Sequence, residues 1–352
     1  MTKQAVVRWV AILLVGAILA TAGVFLSIRR DESARDWVQI TNSARLGGSD
    51  IYANGVLFAR AVPFLMGFGI AVGLLQAMAR RRQSHVLNGD VTRHERSVVI
   101  MHWITFLGMV LLWFTAVLML PGVLFDWAEK LLGTERIAEL EGPLKVDRPL
   151  RLVTLYGLHY IGAALVLFAS FNHLALHLVS RDRGLLPRKG DMSQALVIII
   201  GYLGVFGPDG AAFKISLPKG LRKSLAGGLA AVGLEPNPAG KYLATERIVS
   251  YWPAVVLIGV LVVTGVMKAI HYMYPIPGSW RQFLTTVHDV TGVVLVVWLF
   301  LHVAAVVLVP GHWPLMRSMV TTRVPRKHVE EHHPLWFEEL RAEEHHGEIV
   351  HG

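Results

Sequence analysis

The stretch HDVTGVVLVVWLFLH, residues 288–302, is an apolar segment with a histidine at each end. It belongs to an apolar run over residues 287–309, long enough to cross the roughly 30 Å hydrocarbon core of a bilayer as a helix. In an α-helix, the fourteen-residue separation of His288 and His302 gives a rise of about 21 Å and an angular offset of about 40°. The two imidazoles are therefore predicted on the same side of one membrane helix, one near each leaflet.

Six apolar runs in the chain are long enough to span a bilayer. They cover residues 5–28, 56–79, 98–120, 152–179, 248–272 and 287–309. The runs are continuous, whereas the strands of a closed membrane barrel show alternating apolar and polar residues. The predicted fold class is therefore an all-α integral membrane protein with six transmembrane helices.

The composition supports a membrane protein and excludes several other classes. Of the 352 residues, 53% are hydrophobic and 17% are charged, against about 25% charged residues in soluble domains. The chain has no cysteine, which excludes disulfides, thiolate-bound metal sites and covalently attached c-type haem within it. The net charge of +9 resides in short loops between apolar runs, a pattern that does not indicate nucleic-acid binding.

The distribution of basic residues predicts the orientation. With the N-terminus inside, 22 of the 34 lysines and arginines fall in inner segments, so both termini are expected in the cytoplasm. A multi-pass protein of the bacterial inner membrane is predicted. An alternative for the first run is a signal peptide, with Lys3 and Arg8 as its basic region. Residues 195–205 are apolar but short and predict an interfacial helix, and the histidine-rich segment after residue 309 predicts a solvated docking tail.

Histidines within membrane helices are costly and indicate function. His159 and His173 repeat the fourteen-residue spacing on a second helix, and two haems stacked across a bilayer need such a ladder of axial imidazoles. Depth along the helices pairs His159 with His288 at the outer face. At the inner face His302 has two possible partners, His102 and His173, and spacing does not decide between them. The alternative for each histidine is a packing residue or a proton relay.

Several short motifs carry a resemblance to a known family. They are His102-Trp103, His159-Tyr160-Ile161-Gly162, Gly240-Lys241-Tyr242, Thr264-Gly265, His288-Asp289, His302 and the run EHHPLWFEE at residues 331–339. In these motifs residues 96–340 resemble the gamma subunit of formate dehydrogenase, a membrane di-haem cytochrome b family. Two departures are Leu243 and Glu246, where the family often has Asn and Gln near the quinone. A third is Ala116 after Thr115, where Gly is common.

The resemblance implies a ligand set and a division of the chain. His102 and His302 would hold the inner haem iron and His159 and His288 the outer one, with His173 as the alternative inner ligand. Tyr242 and Glu246 would lie near the quinone. Residues 1–95 would form a two-helix membrane extension, residues 96–310 a four-helix di-haem core with an inner loop at 180–247, and residues 311–352 a cytoplasmic tail.

The resemblance also implies the role of the chain in a respiratory electron-transport complex. It would be the cytochrome b subunit of a formate:quinone oxidoreductase and would itself carry no formate site. An iron–sulfur beta subunit and an alpha subunit with a molybdenum or tungsten cofactor would be separate partner chains. One alternative is the same cytochrome serving a hydrogenase or a thiosulfate reductase. Another, of a different class, is a membrane transporter that uses the histidines as a relay.

Overall fold

The computed structural model is mostly helical. It describes residues 48–79, 86–87, 89–119, 147–180, 184–206, 217–274 and 276–351. In chain order the helices are α1 (Gly48–Ala79), α2 (Arg96–Met119), α3 (Asp147–Ser180), α4 (Asp191–Gly201), α5 (Lys219–Ala231), α6 (Trp252–Ile270), α7 (Gly278–Leu308), α8 (Trp313–Thr321), α9 (Arg326–His332) and α10 (Pro334–His351). A π-helical turn, Glu246–Tyr251, leads into α6, and a 3₁₀ turn, Pro310–His312, follows α7. The strands are β1 (Val86–Leu87), β2 (Asp90–Thr92) and β3 (Arg323–Pro325).

Five of the described helical segments are long and apolar enough to cross a membrane. They are Asn54–Ala79, Arg96–Ala116, Tyr156–Ser180, Glu246–Ile270 and Gly278–Leu308. These segments coincide with five of the six predicted runs and show a multi-pass membrane protein. The first predicted run, residues 5–28, lies outside the described residues, so the sixth span stays a prediction.

Contacts between residues divide the chain into two compact units. The first unit comprises Met1–Arg80, Met101–Arg181 and Gly259–Gly292, and the second comprises Arg81–Ile100, Asp182–Ile258 and Val293–Gly352. Neither unit is a continuous stretch of sequence. The three-part division by sequence segments stays a prediction.

In the first unit, small residues let α1 pack closely against α3. A Cβ on Gly69 would lie 2.5 Å from the carbonyl oxygen of Phe168, and a Cβ on Gly73 would meet the carbonyl of Asn172. This Gly-x-x-x-Gly spacing brings two helix backbones together without a side chain between them, as is common in membranes. Phe58, on the same helix as the two glycines, is buried and extends the contact into an apolar cluster.

The helices α2 and α3 also approach each other at glycines. A Cβ built on Gly108 would lie 3.0 Å from the carbonyl oxygen of Gly162, and the reverse distance is also 3.0 Å. Backbone therefore faces backbone at this crossing. Two turns further along α2, Thr115 comes beside His159 of α3.

In the second unit, the C-terminal segment folds onto a small antiparallel sheet. The strand order is β1-β2-β3, and Val91 of β2 is paired with Val324 of β3. Both valines are fully buried. They belong to an apolar cluster that also contains Leu315, Val329, Trp336 and Leu340. The interpretation of this segment as a solvated tail is wrong, because apolar side chains from α8, α9 and α10 form part of a core.

The helix α4 confirms the helix predicted from the apolar stretch in the inner loop, although it begins at Asp191. Arg247 donates to both carboxylate oxygens of Asp191, from Nε at 2.7 Å and from Nη2 at 2.6 Å. Burial raises the pKa of the Asp191 carboxyl, but the Arg247 hydrogen bonds and the backbone amide of Arg188 outweigh it and hold the pKa below its usual value. This buried ion pair fastens α4 to the turn that begins the Glu246–Ile270 span.

Candidate haem site

His288 lies on α7 and is held by a threonine of α6. The hydroxyl oxygen Oγ1 of Thr264 is 2.9 Å from Nδ1 of His288. The same hydroxyl donates to the carbonyl oxygen of Val260, one turn earlier, at 2.7 Å. Because a hydroxyl has a single proton, the contact with His288 is one in which the imidazole Nδ1–H donates.

His159 lies on α3 and is held in the same way by a threonine of α2. Oγ1 of Thr115 is 3.0 Å from Nδ1 of His159. This hydroxyl also donates to a carbonyl one turn earlier, that of Leu111, at 2.7 Å. Here too the imidazole is the donor, so its proton is on Nδ1 and the lone pair is on Nε2.

The predicted outer pair therefore shares one arrangement within the first unit. His159 and His288 come from different helices, and their rings lie close enough to interact electrostatically. Each presents an unprotonated Nε2, which is the atom a neutral imidazole uses to ligate a metal while Nδ1–H bonds to another acceptor. This donor set fits a haem iron, which takes one axial imidazole from each side.

Two glycines beside this pair differ in their surroundings. A Cβ added to Gly265 would lie 3.2 Å from Cε1 of His288, so the glycine gives the imidazole its room. A Cβ added to Gly292 would meet nothing within 4 Å. Gly265 therefore contributes to the site by direct contact with a predicted ligand.

His302 lies in the second unit and is oriented by stacking. Its ring is parallel to the indole of Trp298, with centroids 5.1 Å apart and an interplanar angle of 15°. The indole Nε1–H donates to the carbonyl oxygen of Val249 at 2.9 Å. Pro253, four residues after Val249, has no amide proton, so the α-helical bond to that carbonyl cannot form, and the indole is a donor to it.

The two candidates for the second inner ligand lie in the first unit. His102 is an exposed residue of α2 and makes an edge contact with Trp103, with ring centroids 5.6 Å apart. His173 of α3 is partly buried, and its ring centroid is 4.1 Å from that of His177. The inner ligand set stays a prediction.

Of the two predicted quinone residues, Glu246 forms an ion pair that the sequence did not indicate, and Tyr242 lies close to it. Glu246 accepts two hydrogen bonds from Nη2 of Arg93, at 2.6 and 2.8 Å, although the residues are 153 positions apart. It also accepts from the backbone amide of Leu243 at 2.7 Å, which closes the start of the helix as in a capping box. The neighbouring Arg247 pairs with Asp191 instead. The guanidinium of Arg93 lies 5.4 Å from the centre of the Tyr242 ring.

Two of the C-terminal histidines are buried, contrary to the prediction of a solvated tail. His333 is 1% exposed, and its Nδ1 donates to the carbonyl of Gly240 at 2.7 Å. Burial, and then the nearby His332, His333, Arg93 and His312, lower the pKa of His328 to about 4. Both histidines therefore belong to the packing of the second unit.

Sequence reasoning missed the side chains that hold the predicted ligands. Thr115 and Thr264 appeared only as parts of the family resemblance, and Trp298 was given no role in the site. The available signal was a threonine in an apolar helix. Its hydroxyl normally donates to the carbonyl one turn earlier, and its lone pairs remain available to a donor from another helix.

Comparisons with known proteins assign the chain to a family. A family model described as prokaryotic cytochrome b561 matches residues 93–322, which is more than half of the chain. The cytochrome b556(Fdn) subunit of nitrate-inducible formate dehydrogenase from Escherichia coli K12 is 27% identical over 106 residues, or 30% of this chain and 47% of that protein. The protein of the same name from Shigella flexneri matches to the same extent. The chain spans about half the length of these curated relatives.

The similarity confirms the resemblance to a formate dehydrogenase cytochrome subunit that the motifs indicated, at low identity. The apolar helices and the family match lead to one conclusion. The chain belongs to the prokaryotic cytochrome b561 family, whose members are haem b-binding membrane subunits that transfer electrons.

Proposed function

We propose that this chain is the membrane anchor and electron-transfer subunit of a formate dehydrogenase. It would connect an iron–sulfur partner subunit, through two b haems, to quinone. The observation that carries the proposal is the matched pair of histidines on different helices, each with Nδ1 bonded to a threonine hydroxyl. The names of the relatives supply the donor complex.

The outer haem is assigned to His159 and His288. With Nδ1–H donated to a threonine, a neutral imidazole at either position carries its lone pair on Nε2. Such a site has no need of a charged ligand in the membrane interior, where charge is costly. When bound, a haem of this kind accepts and releases one electron at a time.

The inner haem is assigned to His302 and His102, with His173 as the alternative partner of His302. The stacked indole of Trp298 limits rotation of the His302 ring. Its hydrogen bond to Val249 fixes the indole in turn, so the ring plane is set by two neighbouring helical segments. With these four ligands, the α2, α3, α6 and α7 helices form the proposed four-helix di-haem core.

The quinone is placed near Tyr242 and Glu246, at the start of the Glu246–Ile270 span. Arg93 and Lys241 both lie against the Tyr242 ring, with their charged groups 5.4 and 5.6 Å from its centre. These cations favour negative charge that develops on a quinone during reduction. Proton uptake at this face would make electron transfer across the bilayer charge-separating.

The orientation follows from the basic residues. With both termini in the cytoplasm, the second unit's loops carry most of the lysines and arginines on the inner face. The molybdenum or tungsten alpha subunit and the iron–sulfur beta subunit would dock at the outer face. The proposed location is the bacterial inner membrane.

Single-histidine variants test the haem assignment. In detergent-purified chain, His288→Ala and His159→Ala are each expected to lose the same haem, and His302→Ala the other. His271→Ala, at an outer helix end, is the matched control and is expected to keep both. Full haem retention in His288→Ala and His302→Ala would contradict the assignment.

Co-purification tests the partner. A tagged chain isolated from its native membrane is expected to bring down an iron–sulfur protein and a formate-oxidising subunit. Recovery of a hydrogenase or thiosulfate reductase with the same haem content would assign the cytochrome to that complex. A colourless, folded preparation would favour the transporter alternative.

A further inference from the structure

We propose that Thr115 and Thr264 are paired positioning residues that lock both axial imidazoles of the outer haem in the Nδ1–H tautomer and thereby lower its reduction potential. The inference rests on the proposed assignment of His159 and His288 as ligands. It goes beyond that assignment because it gives each ligand a specific hydrogen-bond acceptor and predicts which of the two haems responds to it.

The direction of each hydrogen bond follows from the number of protons available. The Thr115 hydroxyl has one proton and a carbonyl only accepts, so the 2.7 Å bond to Leu111 uses that proton. The lone pairs that remain face Nδ1 of His159 at 3.0 Å. An imidazole nitrogen bearing a lone pair would have no donor to meet there. The protonated Nδ1 is therefore the arrangement that satisfies all three groups.

Thr264 repeats the construction on the other ligand. It donates to Val260 at 2.7 Å and receives from Nδ1 of His288 at 2.9 Å. As at Thr115, the hydroxyl can only accept from the imidazole, which places a proton on Nδ1 of His288.

Burial makes the two hydroxyls hard to replace. Thr115 is fully buried and Thr264 is 5% exposed. Without water nearby, an imidazole N–H that lost its hydroxyl acceptor would have to turn or remain unpaired.

A hydrogen bond from the distal nitrogen makes an imidazole a stronger electron donor to a metal. Stronger axial donation favours the ferric state and lowers the potential of a haem. Among the residues that the structure describes, His302 is instead stacked on Trp298 and has no such threonine. Because Thr115 and Thr264 contact the proposed outer ligands, their replacement is expected to act on the outer haem.

The test is a redox titration of each haem in the purified full-length chain with its partner subunits, followed by optical and paramagnetic resonance spectra. Thr115→Val keeps the shape of the side chain but removes the hydroxyl. It is expected to shift the ferric-to-ferrous ratio of the outer haem about tenfold toward ferrous at a fixed potential, equivalent to about 59 mV upward for one electron. The inner haem should not move.

Two further variants distinguish the loss of the hydroxyl group from damage to the fold. Thr115→Ser keeps the hydroxyl and is expected to titrate like the wild type. This expectation also holds if Thr115→Val does not retain the outer haem. Thr286→Val is the matched control, because Thr286 donates the same kind of bond to Gln282 on the His288 helix but is exposed.

The outcomes distinguish this inference from the assignment on which it rests. Two haems with unchanged potentials in Thr115→Val and Thr264→Val would overturn the positioning role and leave the ligands in place. A serine variant that shifts as far as the valine variant would also overturn it. Absence of haem from the wild-type chain would instead overturn the proposed function.

Discussion

Replacing Glu246 by glutamine removes the charge that neutralises a buried arginine. The Arg93 side chain is 2% exposed and that of Glu246 is 26% exposed. Breaking a fully buried ion pair by removing one partner costs about 3–5 kcal/mol. Since Glu246 is partly exposed, solvent screening reduces this, and we expect Glu246→Gln to lower the free energy of unfolding by about 2–3 kcal/mol. The hydrogen bond from the Leu243 amide survives, because the glutamine carbonyl also accepts.

A thermal melt in detergent, followed by tryptophan fluorescence, measures this loss. At about 2–4 °C per kcal/mol, the thermal midpoint should fall by about 4–12 °C. Glu331→Gln is the matched control. Its partner Lys327 is 3.7 Å away in an exposed ion pair, for which a loss below about 1 kcal/mol is expected. Equal thermal midpoints for the two variants would show that the buried ion pair does not stabilise the fold more than the exposed one. Loss of quinone reduction at an unchanged midpoint would instead make Glu246 a proton carrier.

Three other predictions concern packing and pH. Gly73→Leu places a side chain where a Cβ already meets the backbone of α3, so a melt should show a midpoint several degrees lower; an unchanged midpoint would refute the close packing. Trp298→Phe keeps stacking but leaves the Val249 carbonyl without its donor, which should cost about 0.5–2 kcal/mol and alter the spectrum of one haem only. His328 has its pKa lowered to about 4 in the folded chain, so the unfolded chain takes up the proton first as the pH falls. The stability it contributes is complete above about pH 6.5 and is lost toward pH 4. His328→Gln should flatten this acid dependence, and an unchanged dependence in this variant would refute the role given to His328.

The membrane helices were predictable because their signal is local. A run of about 20 apolar residues has few alternatives to a membrane span, and five predicted runs coincide with described helices. The fourteen-residue spacing of the histidines was also visible in the sequence, but the two-haem ladder drawn from it stays a prediction. The helix at Asp191–Gly201 followed from a short apolar stretch in the inner loop.

The contacts that hold the site were not predictable because they join distant parts of the chain. Arg93 and Glu246 are 153 positions apart, and either could have paired with a closer charge. The C-terminal histidines looked solvated because Glu and Lys surround them in sequence, yet the short strand at Arg323–Pro325 carries them onto a core built with Val91. A strand of three residues is too short to be predicted from the periodicity of apolar residues.

The threonines that contact the predicted haem ligands were only partly predictable. Each occupies an apolar helix, where threonine is ordinary, and its meaning appears only when a histidine of another helix is placed beside it. Thr115 meets His159 because Gly108 and Gly162 let two backbones approach. The glycines and the threonine are separate signals in the sequence, and packing joins them into one site.

The haem content of the detergent-purified chain tests the central claim most directly. A reduced-minus-oxidised spectrum with pyridine haemochrome quantitation gives the number of b haems per polypeptide. We predict two, held by His159 with His288 and by His302 with an inner partner. A folded protein without haem would contradict the account.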